Sequence, residues 1–272
     1  MLVATAAPGL AERAPELGSP SAAVLDAATG DAIYVRAADE VRPIASMTKI
    51  FVALALRRRK LDLGGWTEIN FDDAKASVGG TRTLLLEGQR FANRDLLYAM
   101  LLSSDNRVPS ALARSVGLSN DELIERIGRV AEDLGLSHTR FDDATGIRGN
   151  ASTAREMALA MREVVRDPLL ARIMTTRHAR ITSKSEEITA RYTSTVKPLW
   201  DPRYKILAGK TGHTDAAGYC LLIAVKLGER RFVIALLGGQ TPDQRFRDFE
   251  ALMAWLEAEL PAPSAAATRP GT

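Results

Sequence analysis

The sequence predicts an α+β fold: one antiparallel sheet flanked by helices, with an all-helical lobe inserted between its first and last strands. Three observations carry this. The runs "RYKILAGKTG", "AGYCLLIAVKL" and "RRFVIALLGG" follow one another late in the chain, separated only by short turn segments. Consecutive strands joined that tightly pair antiparallel. "SAAVLDAATGDAIYVRA" holds two further apolar runs around Thr29-Gly30-Asp31 and reads as a hairpin able to join the same sheet. Between these regions apolar residues recur at helical spacing.

Taken in order, residues 1–20 are rich in Ala, Pro, Gly and Glu and read as a flexible leader. The hairpin follows, then an apolar helix from about Ala45 to Arg59. Its end, Arg57-Arg58-Arg59-Lys60, suits the negative end of a helix dipole; a phosphate-binding patch is the alternative. Residues 61–90 are mixed, with turns at Gly64-Gly65 and Gly79-Gly80. "NRDLLYAMLLSSDNRVPSALARSVG" reads as two helical pieces broken near Ser103 to Pro109. In "NDELIERIGRVAEDLGL" Leu123, Ile127, Val130 and Leu134 share a face, with Asn120 or Asp121 as cap. "STAREMALAMREVVRD" repeats the pattern, with Ser152 and Glu156 near its start. After the three strands, "DQRFRDFEALMAWLEAEL" closes the fold as an amphipathic helix, and residues 261–272 read as a disordered tail. The expected division is an α/β lobe at about 21–62 and 190–260, with a helical lobe at about 63–189.

Composition excludes several classes. A net charge of +3 over 272 residues is too small to argue nucleic-acid binding. No run reaches the roughly 18 apolar residues of a membrane span. The first twenty residues lack a basic region followed by a long apolar core, so no export signal is visible. The one cysteine, Cys220, lies in a strand-like run and reads as a core residue. No His-Glu-x-x-His or Cys-pair pattern suggests a metal, and no cofactor is expected.

Three short motifs carry chemistry. In "PIASMTKIFVALAL", Ser46 and Lys49 are three apart and share a helix face, just ahead of a run apolar on every side. Serine needs an adjacent base to act as a nucleophile, and a desolvated lysine can be that base. Alone the pattern is weak, since Ser194-Thr195-Val196-Lys197 repeats it. That copy is set aside because Pro198 biases Lys197 away from helix. Ser104-Asp105-Asn106 falls at the helix break, where these residue types also serve as caps. Lys210-Thr211-Gly212, followed by His213, ends a strand; its lysine and threonine can hold a carboxylate, and its glycine admits a ligand close to the backbone.

In this order and on these elements, the three motifs make the sequence resemble the penicillin-recognising serine D,D-peptidases. "IASMTKI", "LLLEGQRFANRDLLYAMLLSSDNR", "ASTAREMALAM" and "GKTGHTDAAGYCLLIAV" are similar to the low-molecular-mass D-alanyl-D-alanine carboxypeptidase and endopeptidase family, over roughly residues 20–259. "SSDNR" with "GLSHTRFDDATGI" resembles most the penicillin-binding protein 7 type of D,D-endopeptidase. The resemblance implies a β-lactamase/transpeptidase-like fold with the site between two lobes. It implies Ser46 as the acylated nucleophile, Lys49 as its base and Ser104 as a proton relay to the leaving amine. Asn106 would orient the substrate amide; Lys210 and Thr211 would receive a carboxylate or polarise Ser104. Gly212 would border the substrate, and the backbone N–H groups of Ser46 and His213 would form an oxyanion hole. The implied substrates are peptidoglycan stem peptides, with β-lactams as covalent inhibitors, and the implied location is extracytoplasmic. A monomer is expected. Some family members carry a β-rich C-terminal domain and an amphipathic membrane anchor; the sequence ends soon after its closing helix, so neither is expected here.

Alternatives are a class A-like β-lactamase and a non-hydrolytic penicillin-binding sensor. Class A enzymes deacylate through a glutamate in Glu-x-x-Leu-Asn. No such stretch lies between Asn106 and Lys210, where "RFDDATGIRGN" offers only Asp142 and Asp143. A Ser-His-Asp hydrolase is weaker still: there are three histidines, of which His138 and His178 read as surface or packing residues, and no Gly-x-Ser-x-Gly turn.

Overall fold

A computed structural model describes residues 14–80 and 83–259. The expectations for residues 1–13 and 261–272 lie outside these residues. The chain opens with β1 (Ser21–Asp26) and β2 (Ala32–Arg36), then a two-residue strand β3 (Arg42–Pro43). A 3-10 segment, Ala45–Thr48, leads into α1 (Lys49–Arg58). Next come β4 (Trp66–Glu68), α2 (Phe71–Ala76), β5 (Arg90–Ala92), α3 (Asn93–Ser103), α4 (Val108–Ser115) and α5 (Asn120–Asp133). The short β6 (Ala151–Ser152) precedes α6 (Ala154–Arg166) and α7 (Pro168–Met174). A hairpin of β7 (His178–Thr182) and β8 (Thr189–Thr193) leads to β9 (Lys205–Thr214), β10 (Gly218–Leu227), β11 (Arg230–Gly239) and α8 (Gln244–Glu259).

The central sheet runs β2-β1-β11-β10-β9, every neighbouring pair antiparallel. The N-terminal hairpin therefore joins the C-terminal strands, as expected. Strands β10 and β11 are buried on both faces, which is why they read as continuous apolar runs. Ile223, Val225, Phe232 and Ile234 face Phe249, Leu252 and Leu256 of α8. Leu222, Ala224, Val233 and Ala235 belong to the larger core on the other face, which continues through α1, α6 and the remaining helices. Residues Lys49 to Leu56 of α1 are all buried, and α3, α4, α5 and α6 pack around it. This leaves β9 as an edge strand against the 3-10 segment, so the third motif meets the first.

Several local readings shift. The helix expected from Ala45 begins as 3-10 and becomes α-helical only at Lys49. The cap of α5 is Ser119, not Asn120 or Asp121: its hydroxyl accepts from Glu122 N, and the Glu122 carboxylate accepts from Ser119 N. A cap needs extended backbone just outside the helix, and Ser119 has it; acids belong one turn in. By the same rule Thr153 caps α6, directly after the Ser152 that reads near its start. The β7–β8 hairpin has no strong sequence signal because its strands are short and polar. Arg57 and Arg58 pair with Asp167 and Asp133 at 2.7 and 2.8 Å, so these two members of the basic run are neutralised locally. Residues at the end of the expected leader are pinned: Leu17 is buried, and Gly18 and Ser19 donate backbone N–H groups to Asp248 of α8 at 2.9 and 2.7 Å.

Candidate active site

Ser46 lines a cleft of about 360 Å³ with Gly80, Asn106, Gly146, His213 and Asp215 among its neighbours. The turn that presents it is strained. Ala45, just before it, has a φ of 48°, a region non-glycine residues rarely occupy. Two glycines pack closely against this turn. A Cβ on Gly146 would lie 2.1 Å from the Ala45 carbonyl oxygen, and one on Gly212 would lie 2.9 Å from that of Ile44. Close backbone approach thus requires glycine at both positions.

Behind Ser46, Lys49 is fully buried. Its amine lies 3.0 Å from Ser46 Oγ and donates to Asn106 Oδ1 at 2.6 Å and to the Thr145 carbonyl at 2.5 Å. Burial pushes its pKa down from 10.5 to about 7, while Asp143 and Asp105 pull it back up. Burial is therefore the leading cause, and the charged neighbours that act on the amine are carboxylates. A neutral lysine amine has two N–H donors and one lone pair. With both donors on Asn106 and Thr145, the lone pair is left for the Ser46 hydroxyl, which is the geometry of a general base.

Ser104 ends α3 in a left-handed conformation, φ 61° and ψ 33°. That turn aims its hydroxyl at Lys210 of β9, whose amine donates to Ser104 Oγ and, at 2.9 Å, to the Thr211 carbonyl. Lys210 is fully buried, and its pKa falls well below the usual lysine value through burial, then through Lys49 and Arg245. A charge on Lys49 is thus felt at Lys210. Between the motif's serine and asparagine, Asp105 points away from the cleft. Its carboxylate accepts from Thr83 Oγ1 at 2.6 Å, Tyr192 OH at 2.8 Å and Arg107 N at 3.1 Å. Burial and the Asp105 carboxylate push the Tyr192 phenol strongly up.

Of the eight residues singled out in sequence, Ser46, Asn106 and His213 line the cleft. Lys49, Ser104, Lys210, Thr211 and Gly212 sit buried behind it. The His213 ring is exposed and stacks on Tyr219 at 4.0 Å. His138 pairs with Glu156 and His178 meets Thr193, so neither joins the site. Several residues here were not singled out in sequence: Thr145, Asn150, Tyr192, Thr195 and Arg245. Thr195 Oγ1 lies 2.5 Å from Thr211 Oγ1, so the discarded Ser-x-x-Lys copy does contribute, through its threonine. Its lysine instead pairs with Asp243 at 2.5 Å on the surface. Arg245 donates to the Gly212 carbonyl at 3.0 Å and lies 5.3 Å from the Tyr219 ring. Among the described residues no group of three or more His, Cys, Asp and Glu is placed to hold a metal ion.

The sequence model of the D-alanyl-D-alanine carboxypeptidase family, peptidase S11, matches residues 9–241. The chain is 28% identical to a D-alanyl-D-alanine endopeptidase of Escherichia coli (strain K12) over 255 residues, 93% of this chain and 82% of that one. It is 30% identical to a D-alanyl-D-alanine endopeptidase of Pseudomonas aeruginosa over 243 residues, 89% of this chain and 78% of that one. The crystal structure of the Streptomyces K15 DD-transpeptidase matches with a TM-score of 0.84 at 25% identity, covering 90% of this chain and 99% of that one. The transpeptidase-like fold expected from the resemblance is the fold observed.

Proposed function

Because the chain belongs to the D-alanyl-D-alanine carboxypeptidase family, peptidase S11, we propose a residue-level mechanism for it as a serine D-alanyl-D-alanine peptidase. Ser46 attacks the D-alanine carbonyl while Lys49 takes its proton. One observation carries this reading: a fully buried amine 3.0 Å from Ser46 Oγ, with both its other directions occupied by acceptors. An acyl-Ser46 ester forms, and water then releases it, so one hard step becomes two easier ones. Ser104 passes a proton to the leaving amine, and Lys210, bonded to its hydroxyl, sets that hydroxyl's polarity. The Lys210 amine is committed to Ser104 Oγ and the Thr211 carbonyl, which favours this role; the carboxylate end of the substrate is assigned to Thr211. Asn106 turns its Oδ1 to Lys49 and keeps its Nδ2 for the substrate amide. The N–H groups of Ser46 and His213 are assigned to the oxyanion.

Within the family we favour cleavage of the cross-link over removal of a terminal D-alanine. Both relatives described above are endopeptidases by name, and "SSDNR" with "GLSHTRFDDATGI" points the same way. β-Lactams are expected to acylate Ser46 and leave slowly. The 142–150 loop supplies no glutamate, and the Asp143 carboxylate is already bound to the loop's own Gly146 N–H and Thr145 hydroxyl. The substrate places the enzyme outside the cytoplasm; among the described residues no helix is long and apolar enough to cross a membrane. A monomer suffices, since every group named comes from one chain. The proposed lobes are residues 21–62 with 190–260, and 63–189, with α6 and α7 packed against the sheet as the layer joining them.

Muropeptides containing both pentapeptide monomers and cross-linked dimers, analysed by mass spectrometry beside Ser46→Ala, test the reading. Dimers split to monomers are expected. Monomers losing one alanine with dimers intact would make it a carboxypeptidase. A wild type that binds penicillin covalently but changes neither substrate would replace the enzyme with a sensor.

A further inference from the structure

Asn150 is buried at 2% exposure and takes no part in the mechanism above. Its side chain is unusually engaged. Oδ1 accepts from the backbone N–H groups of Asp142 at 2.7 Å and Asp143 at 3.1 Å. Nδ2 donates to Thr48 Oγ1 at 2.9 Å, to the Asp143 carbonyl at 2.9 Å and to Asp143 Oδ1 at 3.0 Å. Both lone-pair sites and both hydrogens are committed, so no capacity remains for a water or a substrate. Asn150 is therefore not a catalytic residue.

What it joins matters more. On one side Thr48 passes the connection on, donating its hydroxyl to the Ala45 carbonyl at 2.8 Å, directly before Ser46. The Asn150 carbonyl also accepts from Ile44 N at 3.1 Å. On the other side Asp143 folds the loop by accepting from Thr145 Oγ1 at 2.6 Å, Gly146 N at 2.7 Å and Ile147 N at 3.2 Å. That loop then delivers the Thr145 carbonyl to the Lys49 amine. One side chain thus bridges the nucleophile's turn and the acceptor that orients the base, across 102 positions of sequence from Thr48.

We infer that Asn150 is a positioning residue. It holds the Ala45–Ser46 turn and the Thr145 carbonyl in one frame, so that the Lys49 lone pair meets the Ser46 hydroxyl. The inference rests on Lys49 being the base. A hydrogen bond lost from such a frame misaligns the reacting pair without removing any group that touches the ligand.

The test is penicillin acylation, with the noncovalent dissociation constant and the first-order acylation rate measured separately. Asn150→Ala and Thr48→Val are each expected to slow acylation by roughly tenfold, the rate equivalent of about one lost hydrogen bond, with the dissociation constant unchanged. Thr48→Ser, which keeps the hydroxyl, is expected to restore the wild-type rate. If Asn150→Ala does not fold, the Thr48 pair decides. Acylation by Thr48→Val at the wild-type rate would overturn the inference. So would Thr48→Ser as slow as Thr48→Val, or a loss appearing wholly in the dissociation constant. Lys49→Ala, run alongside, separates the two levels: if it still acylates, the base assignment itself fails.

Discussion

The site contains two serine–lysine pairs, each built on a buried lysine, and their surroundings differ in sign. Ser46 and Lys49 belong to one continuous segment at the head of α1; Ser104 and Lys210 come from a helix end and a sheet edge, 106 positions apart. Both lysines are fully buried. Beside Lys49 the charged neighbours are Asp143 and Asp105, which hold its pKa up at about 7 against the pull of burial. Beside Lys210 they are Lys49 and Arg245, which push its pKa further down. The same residue pair is therefore tuned to two tasks. Lys49 switches near neutral pH and can take and return a proton. Lys210, its pKa driven well below the usual lysine value, serves its serine through hydrogen bonding.

Lys49→Met is the most severe way to break this comparison. Loss of a general base should lower the penicillin acylation rate by about 10³–10⁴-fold. Stability feels two opposed effects: a desolvated amine is removed, but the buried Asn106 Oδ1 and Thr145 carbonyl lose their donor. The pH dependence of the difference in Tm follows from linkage. Below about pH 7 the folded and unfolded lysine are both protonated, and the penalty is full; it fades as pH rises from about 7 towards 10.5. The Tm of Lys49→Met relative to wild type should therefore fall in alkaline buffer. The wild-type acylation rate should do the converse, falling tenfold per pH unit below about 7, where Lys49 holds its proton. A flat profile from pH 5 to 8 would remove Lys49 from the role.

Ser104→Ala and Lys210→Gln probe the second pair. An amide substrate needs a proton on its leaving amine, whereas a thioester analogue does not. Both variants should slow the amide by about 10²-fold and the thioester by only a few-fold, in stopped assays of product release. Equal losses on both substrates would mean that this pair acts before bond cleavage, in binding or in activating Ser46.

How legible each pair is in the sequence follows from the same geometry. Ser46 and Lys49 stand out because helical spacing fixes their neighbourhood and because a lysine heading an apolar run needs a use. The strands of the sheet stand out because burial on both faces leaves unbroken apolar runs. The second pair is only half legible. Ser104 can be read as a helix-end residue, but nothing local says that β9 will bring Lys210 to it. Asp105 reads as a cap, and its partner Tyr192 lies on a short polar hairpin with no strong signal of its own. Thr145 acts through a backbone carbonyl, an atom every residue carries, so no residue type marks it. Its loop is visible in sequence mainly as a place where a glutamate is missing.

Tyr192→Phe is the mildest test, and it addresses what keeps the two pairs different. Asp105 is one of two carboxylates that raise the Lys49 pKa, and Tyr192 OH is one of its three hydrogen-bond donors. Phenylalanine keeps the ring and removes only that donor, so the Asp105 carboxylate stays buried with two partners. The stability cost should be about 1–2 kcal/mol, measured by chemical denaturation. The acid limb of the acylation profile should stay near pH 7, because both carboxylates beside Lys49 remain in place. The plateau rate should change no more than a few-fold, because no group touching Ser46 has moved. A plateau loss as large as that of Ser104→Ala would mean that the Asp105 cluster positions the cleft itself rather than setting the charge behind it.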